Sequence, residues 1–106
     1  MKINKEQISH SIEKGDNLLN KSNTYEALKY YKNAIELGCN SNKVFMKYGT
    51  CLLQENKIEE SIVFNLKELE IEPNDLNANF NLGLAYYKIH NFEKEQIYAE
   101  KANDIQ

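Results

Sequence analysis

The stretch Asn81–Glu93, NLGLAYYKIHNFE, decides the fold because its pattern returns at a fixed distance along the chain. Its apolar residues follow the 3.6-residue period of a helix, yet Gly83 stands inside that helix. Glycine in a helix interior costs roughly 1 kcal/mol relative to alanine. We therefore expect another part of the backbone to approach Gly83 closely, where a Cβ atom would hold the two apart.

Gly83 has counterparts at Gly49 and Gly15, so that the three glycines are spaced 34 residues apart. An aromatic residue follows each glycine by fifteen positions, as Tyr30, Phe64 and Tyr98. The register holds along the chain without an insertion, and repetition at such a period is typical of solenoid arrays. We predict a single domain, residues 1–106, whose three repeats occupy approximately residues 8–41, 42–75 and 76–106.

Each repeat divides into two helical segments with a short polar break between them. The breaks fall at residues 21–24, 54–57 and 89–91. Asn23 with Glu26, and Asn56 with Glu59, have the spacing of an N-cap residue followed by a reciprocal glutamate. Strand signals are absent from the sequence. The sequence therefore predicts an all-α array of six helices arranged as three helix-turn-helix units.

A paired-helix repeat of 34 residues resembles the tetratricopeptide repeat, and the resemblance extends over nearly the whole chain. The matching residues are Leu82, Gly83, Tyr86, Ala27, Tyr31, Ala34, Ala102 and Pro73. The residues that depart from the family pattern are Glu95, Glu68, Asn65, Cys39, Ser11, Phe45 and Asn79. The resemblance implies a right-handed superhelical array of antiparallel helix pairs whose first helices line a concave groove. The departures predict less regular second helices in the second and third repeats.

Composition and charge exclude several classes of protein. The net charge is -3 and all 13 basic residues are lysines, so the chain lacks both a basic stripe and the arginine fork suited to phosphates. No apolar run reaches the ~20 residues that span a bilayer, and the N-terminal segment lacks the apolar core of a signal peptide. Cys39 and Cys51 form no CxxC pattern and are expected to be reduced thiols. We therefore expect a cytoplasmic protein with no nucleic-acid or membrane partner.

Catalytic and metal-binding patterns are absent from the sequence. It contains no HExxH, GxSxG or phosphate-loop motif and no cluster of histidines and cysteines. Glu68 and Glu72 are four residues apart and could share a helical face, but no histidine stands at a matching spacing, so we interpret them as a solvated pair. His10 is interpreted as a solvent-facing residue and His90 as a turn residue between helices. We predict no enzyme activity, no cofactor and no metal.

Apolar residues recur seven positions apart in the first helix of each repeat, three before and four after the glycine. Residues at this spacing share a helical face, so three stacked helices would carry a six-residue apolar ridge. By the family resemblance this ridge faces the groove, flanked by polar residues that include Thr50 and Gln54. The predicted peptide-binding residues are Ile12, Leu19, Met46, Lys47, Leu53, Asn77, Phe80, Asn81, Leu84, Tyr87 and Lys88. The alternative is that the ridge is ordinary core, because amphipathic stripes usually are.

One specialisation of the resembled family is a carboxylate clamp that holds the acidic tails of heat-shock chaperones. In co-chaperones of that kind the clamp consists of Lys, Asn, Asn, Lys and Arg side chains. The corresponding positions here are Ile12, Asp16, Lys47, Asn77 and Asn81. None of them matches, and Asp16 would repel a carboxylate, so we do not expect this function.

Polar residues mark the outer faces at both ends of the array, as the ends of a solenoid require. On the first helix this face consists of His10, Lys14, Asn17 and Lys21, where the second and third repeats are largely apolar. On the last helix it consists of Gln96, Ala99 and Asn103, where the first repeat is apolar. We therefore predict a capped monomer, and a homodimer built through the last helix is the alternative.

Two functions remain open at the level of the sequence. The first is a non-catalytic scaffold that binds a protein or peptide segment with apolar anchors, in a form that resembles three-repeat secretion chaperones. The second is a structural module for assembly or oligomerisation that makes contact through its convex surface or its terminal helix. An exposed apolar patch in the groove would favour the first function, and one on the final helix would favour the second.

The repeated glycine also predicts a partner for its close contact. If each glycine marks a crossing of the two helices of a repeat, the residue twelve positions later should be small. Ala27 and Ser61 fit this expectation, whereas Glu95 does not. We expect Glu95 either to turn outward or to pair with Asn79.

Overall fold

The structure, a computed structural model, describes the backbone of residues 2–105 and the side chains of residues 4–105. Every regular element in that range is a helix, which confirms the all-α prediction. The six helices are α1 (Lys2–Asn20), α2 (Thr24–Glu36), α3 (Val44–Gln54), α4 (Ile58–Ile71), α5 (Leu76–Lys88) and α6 (Phe92–Ile105). α1 begins six residues before the predicted start of the first repeat. Within the described range, no helix has both the length and the apolarity to cross a lipid bilayer.

Consecutive helices pack in pairs, and the pairs stack on one another. α1 packs against α2, α3 against α4 and α5 against α6, while α2 contacts α3 and α4 contacts α5. α3 also contacts α5, so the first helices of the second and third pairs lie side by side. The molecule measures 44 × 24 × 22 Å along its principal axes, which is the elongated shape of a short solenoid.

Two apolar clusters hold the three helix pairs together. One joins the first two pairs and contains the fully buried Tyr31, Val44 and Cys51. The second joins the last two pairs around the buried Leu82 and Tyr86. Burial raises the pKa of the Cys51 thiol to about 12, so this cysteine stays protonated and behaves as an apolar core residue.

The turn inside each pair contains a residue with a left-handed backbone. Ser22, Asn56 and His90 have φ values of 61°, 64° and 63°, a conformation that commonly terminates a helix. His90 is therefore a turn residue, as predicted. The prediction of Asn56 as an N-cap is wrong, because Asn56 aligns with Ser22, whereas Asn23 aligns with Lys57. Asn23 does cap α2, since its Oδ1 accepts the backbone N–H three residues later at 3.3 Å.

Glu68, one of the departures from the family pattern, lies at the junction of the second and third pairs. Its carboxylate accepts the backbone N–H of Met46 at the start of α3, at 3.4 Å. Nearby, Asp75 caps α5 by accepting the N–H of Ala78 at 2.8 Å, and its other oxygen accepts the Lys43 ammonium at 3.0 Å. Glu68 is only 2% exposed, and this desolvation raises the pKa of its carboxyl. Acidic side chains thus tie together the ends of three helices.

The residue that crowds the repeated glycine differs from the predicted one. A Cβ atom added at Gly49 would overlap the side-chain amide of Asn65, whose Cγ would lie 2.9 Å away. Asn65 follows the glycine by sixteen positions rather than twelve, although Ser61 at twelve does contact it, donating its hydroxyl to the Gly49 carbonyl at 2.7 Å. A Cβ added at Gly83 would lie 3.5 Å from the backbone nitrogen of Ala99, an ordinary contact distance. The backbone of α6 does lie beside Gly83, but the expectation that a Cβ atom there would hold the two helices apart is wrong; such crowding is present at Gly49, where a side chain causes it.

A chain of buried hydrogen bonds runs from Gly49 to the third pair. The Asn65 amide nitrogen donates to Ser61 Oγ at 3.1 Å, and its Oδ1 accepts the Asn81 amide at 3.1 Å. Asn81 also donates to Thr50 Oγ1 at 2.8 Å. Satisfied polar networks of this kind specify one packing arrangement. Asn65 is thus accommodated inside α4, and because α4 and α6 each run for 14 residues without a break, the predicted irregularity of these helices is wrong.

Glu95 and Asn79 do not pair with each other. The Asn79 amide donates to the carbonyls of Asp75 at 2.9 Å and Pro73 at 3.3 Å. Its Oδ1 is buried without a hydrogen-bond partner among the described residues. Glu95 lies half-buried at the surface between α5 and α6. The structure therefore agrees with the outward orientation and contradicts the pairing.

Candidate functional site

A groove runs along the first helices of the array and encloses a hollow of about 610 Å³. α1, α3 and α5 all contribute to its wall. The lining residues are Leu19, Met46, Lys47, Thr50, Leu53, Gln54, Asn56, Asn77, Phe80, Asn81, Leu84 and Lys88. Nine of the eleven predicted peptide-binding residues belong to this set, so the structure brings them together in one place. Their role in binding remains a prediction.

The other two predicted residues lie elsewhere. Ile12 is 7% exposed and belongs to the apolar cluster between the first two pairs. Tyr87 is 59% exposed and lies between α5 and α6, where its ring contacts Phe92 edge-on with 5.9 Å between ring centroids. Sequence spacing places both residues on the groove side of their helices, but it does not specify how far each helix is rotated by its neighbours. Neither residue lines the groove.

The predicted six-residue ridge is exposed only in part. Met46 and Leu53 on α3 are 7% and 8% exposed, whereas Phe80 on α5 is 55% exposed. α3 is covered because it contacts helices of both neighbouring pairs, α2 on one side and α5 on the other, whereas α5 contacts a neighbouring pair, through α3 and α4, on one side only in the described chain. The interpretation of the ridge as ordinary core therefore holds for the second repeat, and the exposed interpretation holds for the third. Apolar surface is concentrated on the α5 wall.

Asp16 neutralises one of the two lysines of the groove. Its carboxylate lies 3.1 Å from the Lys47 ammonium and accepts the Tyr31 hydroxyl at 2.6 Å. Burial, together with the Asp16 carboxylate, raises the pKa of Tyr31 far above its ordinary value, so its phenol remains a donor. Lys88 has no ion-pair partner among residues 4–105. No carboxylate lines the groove, so its available charge is the single cation of Lys88.

The amides of the groove differ in what they can offer a ligand. Both N–H groups of the Asn81 side chain are engaged, one with Thr50 and one with Asn65. Asn81, one of the predicted peptide-binding residues, therefore has no free N–H group to offer a ligand, because its amide is part of the buried network. Asn77 is exposed and lies in the groove wall. Asn56 lines the groove although the sequence does not predict it. Its left-handed backbone lies in the turn that follows α3, and in the sequence this turn is visible only as a polar break.

One group of acidic residues has the proximity that a metal site would need. Carboxylate oxygens of Glu68, Glu72 and Asp75 lie within 4.8 Å of one another. The Lys43 ammonium already lies 3.0 Å from Asp75 and 3.7 Å from Glu72. Because Glu68 and Asp75 also accept backbone N–H groups, the arrangement functions as a set of helix caps balanced by a lysine. Glu68 and Glu72 do come together, but not as an acid pair in a cleft, and the interpretation of the pair as solvated is wrong for Glu68, which is buried.

Comparison with known proteins identifies the repeat. No family model matches the chain. A tetratricopeptide repeat-containing protein of Caenorhabditis elegans, trd-1, is 36% identical over 73 residues, which cover 67% of this chain and 10% of that protein. The crystal structure of YrrB, described as a TPR protein with an unusual peptide-binding site, has a TM-score of 0.78 and 30% identity, covering 87% of this chain and 47% of that one.

The chain is an array of three tetratricopeptide repeats. It spans less than half the length of either relative. A further structure, the second TPR of Spaghetti (RPAP3) bound to the HSP90 peptide SRMEEVD, has a TM-score of 0.86 and 15% identity, covering 97% of this chain and 90% of that one. At that identity the likeness concerns the fold alone.

The tetratricopeptide array also places the residues that correspond to the carboxylate clamp. Ile12 is buried in the core, and Asp16 is occupied by Lys47 and Tyr31. Asn81 is engaged within the network between α3, α4 and α5. Of the five positions, Asn77 alone is exposed. The groove of this array therefore differs in chemistry from a two-carboxylate clamp.

Proposed function

We propose that this tetratricopeptide array is a non-catalytic scaffold that binds a peptide segment in the groove between α1, α3 and α5. The observation that carries the proposal is the hollow of about 610 Å³ to which all three first helices contribute side chains. Concave sites with apolar walls and a few convergent polar groups are the usual form of ligand-binding sites in proteins. A chaperone-like hold on an apolar segment of a client protein is the specific form that this chemistry favours.

The exposed surface of the groove defines the chemistry of the expected peptide. Phe80 and Leu84 are 55% and 39% exposed, so an apolar side chain of the peptide would bury surface that is now in water. Lys88 would attract a carboxylate, and Asn77 offers amide hydrogen bonds at the other end of α5. We therefore expect a segment with at least one large apolar residue and a nearby acidic group.

YrrB, at 30% identity, supports the proposal by analogy, because it is described as having an unusual peptide-binding site. That description belongs to YrrB. For the present chain the proposal rests on its own groove residues, which differ from those of a carboxylate clamp.

A displayed library of random peptides, selected against the full chain, provides the test. The selected peptides should bind with an affinity that falls by at least about tenfold in Phe80→Glu, because an exposed aromatic anchor is replaced by a charge. Phe80 is a cleaner probe than Met46, since Met46 is buried beside the Glu68 carboxylate. Fluorescence anisotropy with labelled peptide measures the affinity.

The matched control for this test is Val63→Glu. Val63 is 49% exposed on α4 and does not line the groove, so the same change of side chain should leave the affinity unaltered. Failure to select any peptide, or equal loss of affinity in both variants, would contradict the proposal. Far-UV circular dichroism of both variants establishes that the helices are retained.

A further inference from the structure

A second hollow, of about 370 Å³, lies between α5 and α6, and we call it the α5–α6 furrow. Its lining residues are Phe80, Gly83, Leu84, Tyr87, Glu95, Ala99, Ala102 and Asn103. Glu95 is the one charged residue in this lining. Phe80, Leu84 and Tyr87 stand at the spacing of one helical face and are 39–59% exposed. They form an apolar stripe along the rim of the furrow.

The other two pairs show what such a furrow holds in this molecule. α3 lies against the α1–α2 pair, where Lys47 reaches Asp16 at 3.1 Å. α5 lies against the α3–α4 pair, where Asn81 reaches Asn65 at 3.1 Å. Lys47 and Asn81 are 34 residues apart and thus occupy the same position of the repeat. Each of these two furrows is therefore covered by a helix, whereas no described helix covers the α5–α6 furrow.

A second copy of the chain cannot cover this furrow by acting as a fourth repeat. Its first helix would have to present the face that α3 and α5 present, which consists of Val44, Tyr48, Cys51, Ala78, Leu82 and Ala85. On α1 the equivalent positions are His10, Lys14 and Asn17, all of them exposed. Burying these polar side chains against the apolar stripe would cost free energy without compensation. Head-to-tail stacking is thereby disfavoured, and it would give an open filament or a ring rather than a two-fold dimer.

A closed dimer, in which the furrows of two copies face each other, has no such penalty. Lys88 lies on the groove side of the stripe and Glu95 on its α6 side, both near the turn between the two helices. A two-fold axis parallel to α5 exchanges the two sides of the stripe while keeping its ends in place. It therefore brings Lys88 of each copy towards Glu95 of the other, and neither residue has an ion-pair partner within residues 4–105.

We propose that the α5–α6 furrow is the interface of a two-fold homodimer, in which the apolar stripes of two copies pack together between two Lys88–Glu95 ion pairs. Contiguous exposed apolar patches on a protein surface commonly mark sites of association. An isologous interface must be self-complementary, and the opposite charges of Lys88 and Glu95 on the two sides of the stripe satisfy this requirement. The polar residues Gln96 and Asn103 of the last helix then form the rim of the interface.

Sedimentation equilibrium of the full chain over a range of concentrations tests this interface. The native chain should show a reversible monomer–dimer equilibrium. Tyr87→Glu should raise the dissociation constant at least about tenfold, because it places a charge in the stripe. The matched control is Ile97→Glu: Ile97 is 50% exposed on α6 but lies two residues from both Glu95 and Ala99, on the opposite face of the helix. This control should dimerise as the native chain does.

The ion pairs are tested by charge reversal. Lys88→Glu and Glu95→Lys should each weaken the dimer, and the double variant should restore it, because the pair is then re-formed with opposite polarity. A native chain that stays monomeric up to about 1 mM, a dimer indifferent to Tyr87→Glu, a double variant without rescue, or assembly that continues beyond the dimer would each overturn the proposal. Phe80 and Leu84 belong to both surfaces, so a bound peptide and the partner copy exclude each other there. Tyr87 does not line the groove, so loss of the dimer with retained peptide binding in Tyr87→Glu separates this inference from the proposed function.

Discussion

Gly49 and Gly83 occupy the same position of the repeat but meet different neighbours. At Gly49 the amide of Asn65 occupies the space of a Cβ atom, whereas at Gly83 the nearest atoms belong to the backbone of Ala99 at an ordinary distance. The 34-residue period identifies both glycines, but the reason for each depends on the side chain sixteen positions later. The same substitution should therefore have opposite effects at the two positions.

We expect Gly83→Ala to stabilise the protein by up to about 1 kcal/mol, since alanine removes the helix penalty of glycine and its methyl group has room. Gly49→Ala should destabilise it, because Asn65 must leave its hydrogen bonds with Ser61 and Asn81, and a lost buried partner costs about 1–3 kcal/mol. Urea denaturation midpoints measure both changes. Equal effects of the same sign would contradict the structural difference between the two glycines.

The turns between the two helices of a repeat also affect stability through single residues. Ser22 and Asn56 adopt the same left-handed backbone conformation, yet asparagine tolerates it better than serine. Ser22→Gly should therefore stabilise the protein by about 1 kcal/mol, and Asn56→Gly should give a smaller gain. Thermal unfolding of the two variants measures the difference. A larger gain at Asn56 than at Ser22 would contradict this account of the turns.

The junction of α3, α4 and α5 should make stability depend on pH through Glu68. Desolvation raises the pKa of this carboxyl above its ordinary value of 4.5. The hydrogen bond from the Met46 N–H and the Lys43 charge oppose the shift, and Asp75 and Glu72 add to it. The folded state then binds the proton more tightly than the unfolded chain, so this contribution to stability is present below pH 4.5 and is lost as the pH rises through the folded pKa.

Glu68→Gln removes this titration while keeping a carbonyl oxygen that can accept the Met46 N–H. The variant should gain stability relative to the native chain as the pH is raised from about 4 to about 7. Urea unfolding at several pH values measures the difference between the two proteins. If the difference shrinks as the pH rises, the pKa of the Glu68 carboxyl is not raised in the folded state.

At the scale of elements, the sequence predicts the helices well because their signals are local. The breaks at 21–24, 54–57 and 89–91 all lie at helix ends, and Asn23 caps α2 as its spacing indicates. The N-cap of α4 is Lys57, one residue after the predicted Asn56. Two adjacent polar residues in a turn fit an N-cap equally well from the sequence alone. Glu68 and Asn65 depart from the family pattern, yet Glu68 caps α3 and Asn65 links α4 to its neighbours. Such roles depend on contacts between elements, which periodicity does not encode.

At the scale of the whole molecule, the periodicity predicts which nine residues come together in the groove. It does not predict how exposed each of them is. Met46 and Leu53 are covered because α3 has helices of neighbouring pairs on both sides, and Phe80 is exposed because α5 has a neighbouring pair on one side only in the described chain. Position within the array, rather than position within the repeat, decides which side chains reach solvent. Both proposed surfaces, the groove and the α5–α6 furrow, therefore share the apolar stripe of α5.

The most direct test of the central claim is to map a library-selected peptide onto the protein by nuclear magnetic resonance. In a titration of the isotope-labelled chain, the account predicts that backbone amide shifts change along the groove faces of α1, α3 and α5. The amides of α2, α4 and the outer face of α6 should stay in place. Shift changes centred on the convex helices, or confined to the α5–α6 furrow, would contradict the assignment of the groove as the peptide-binding site.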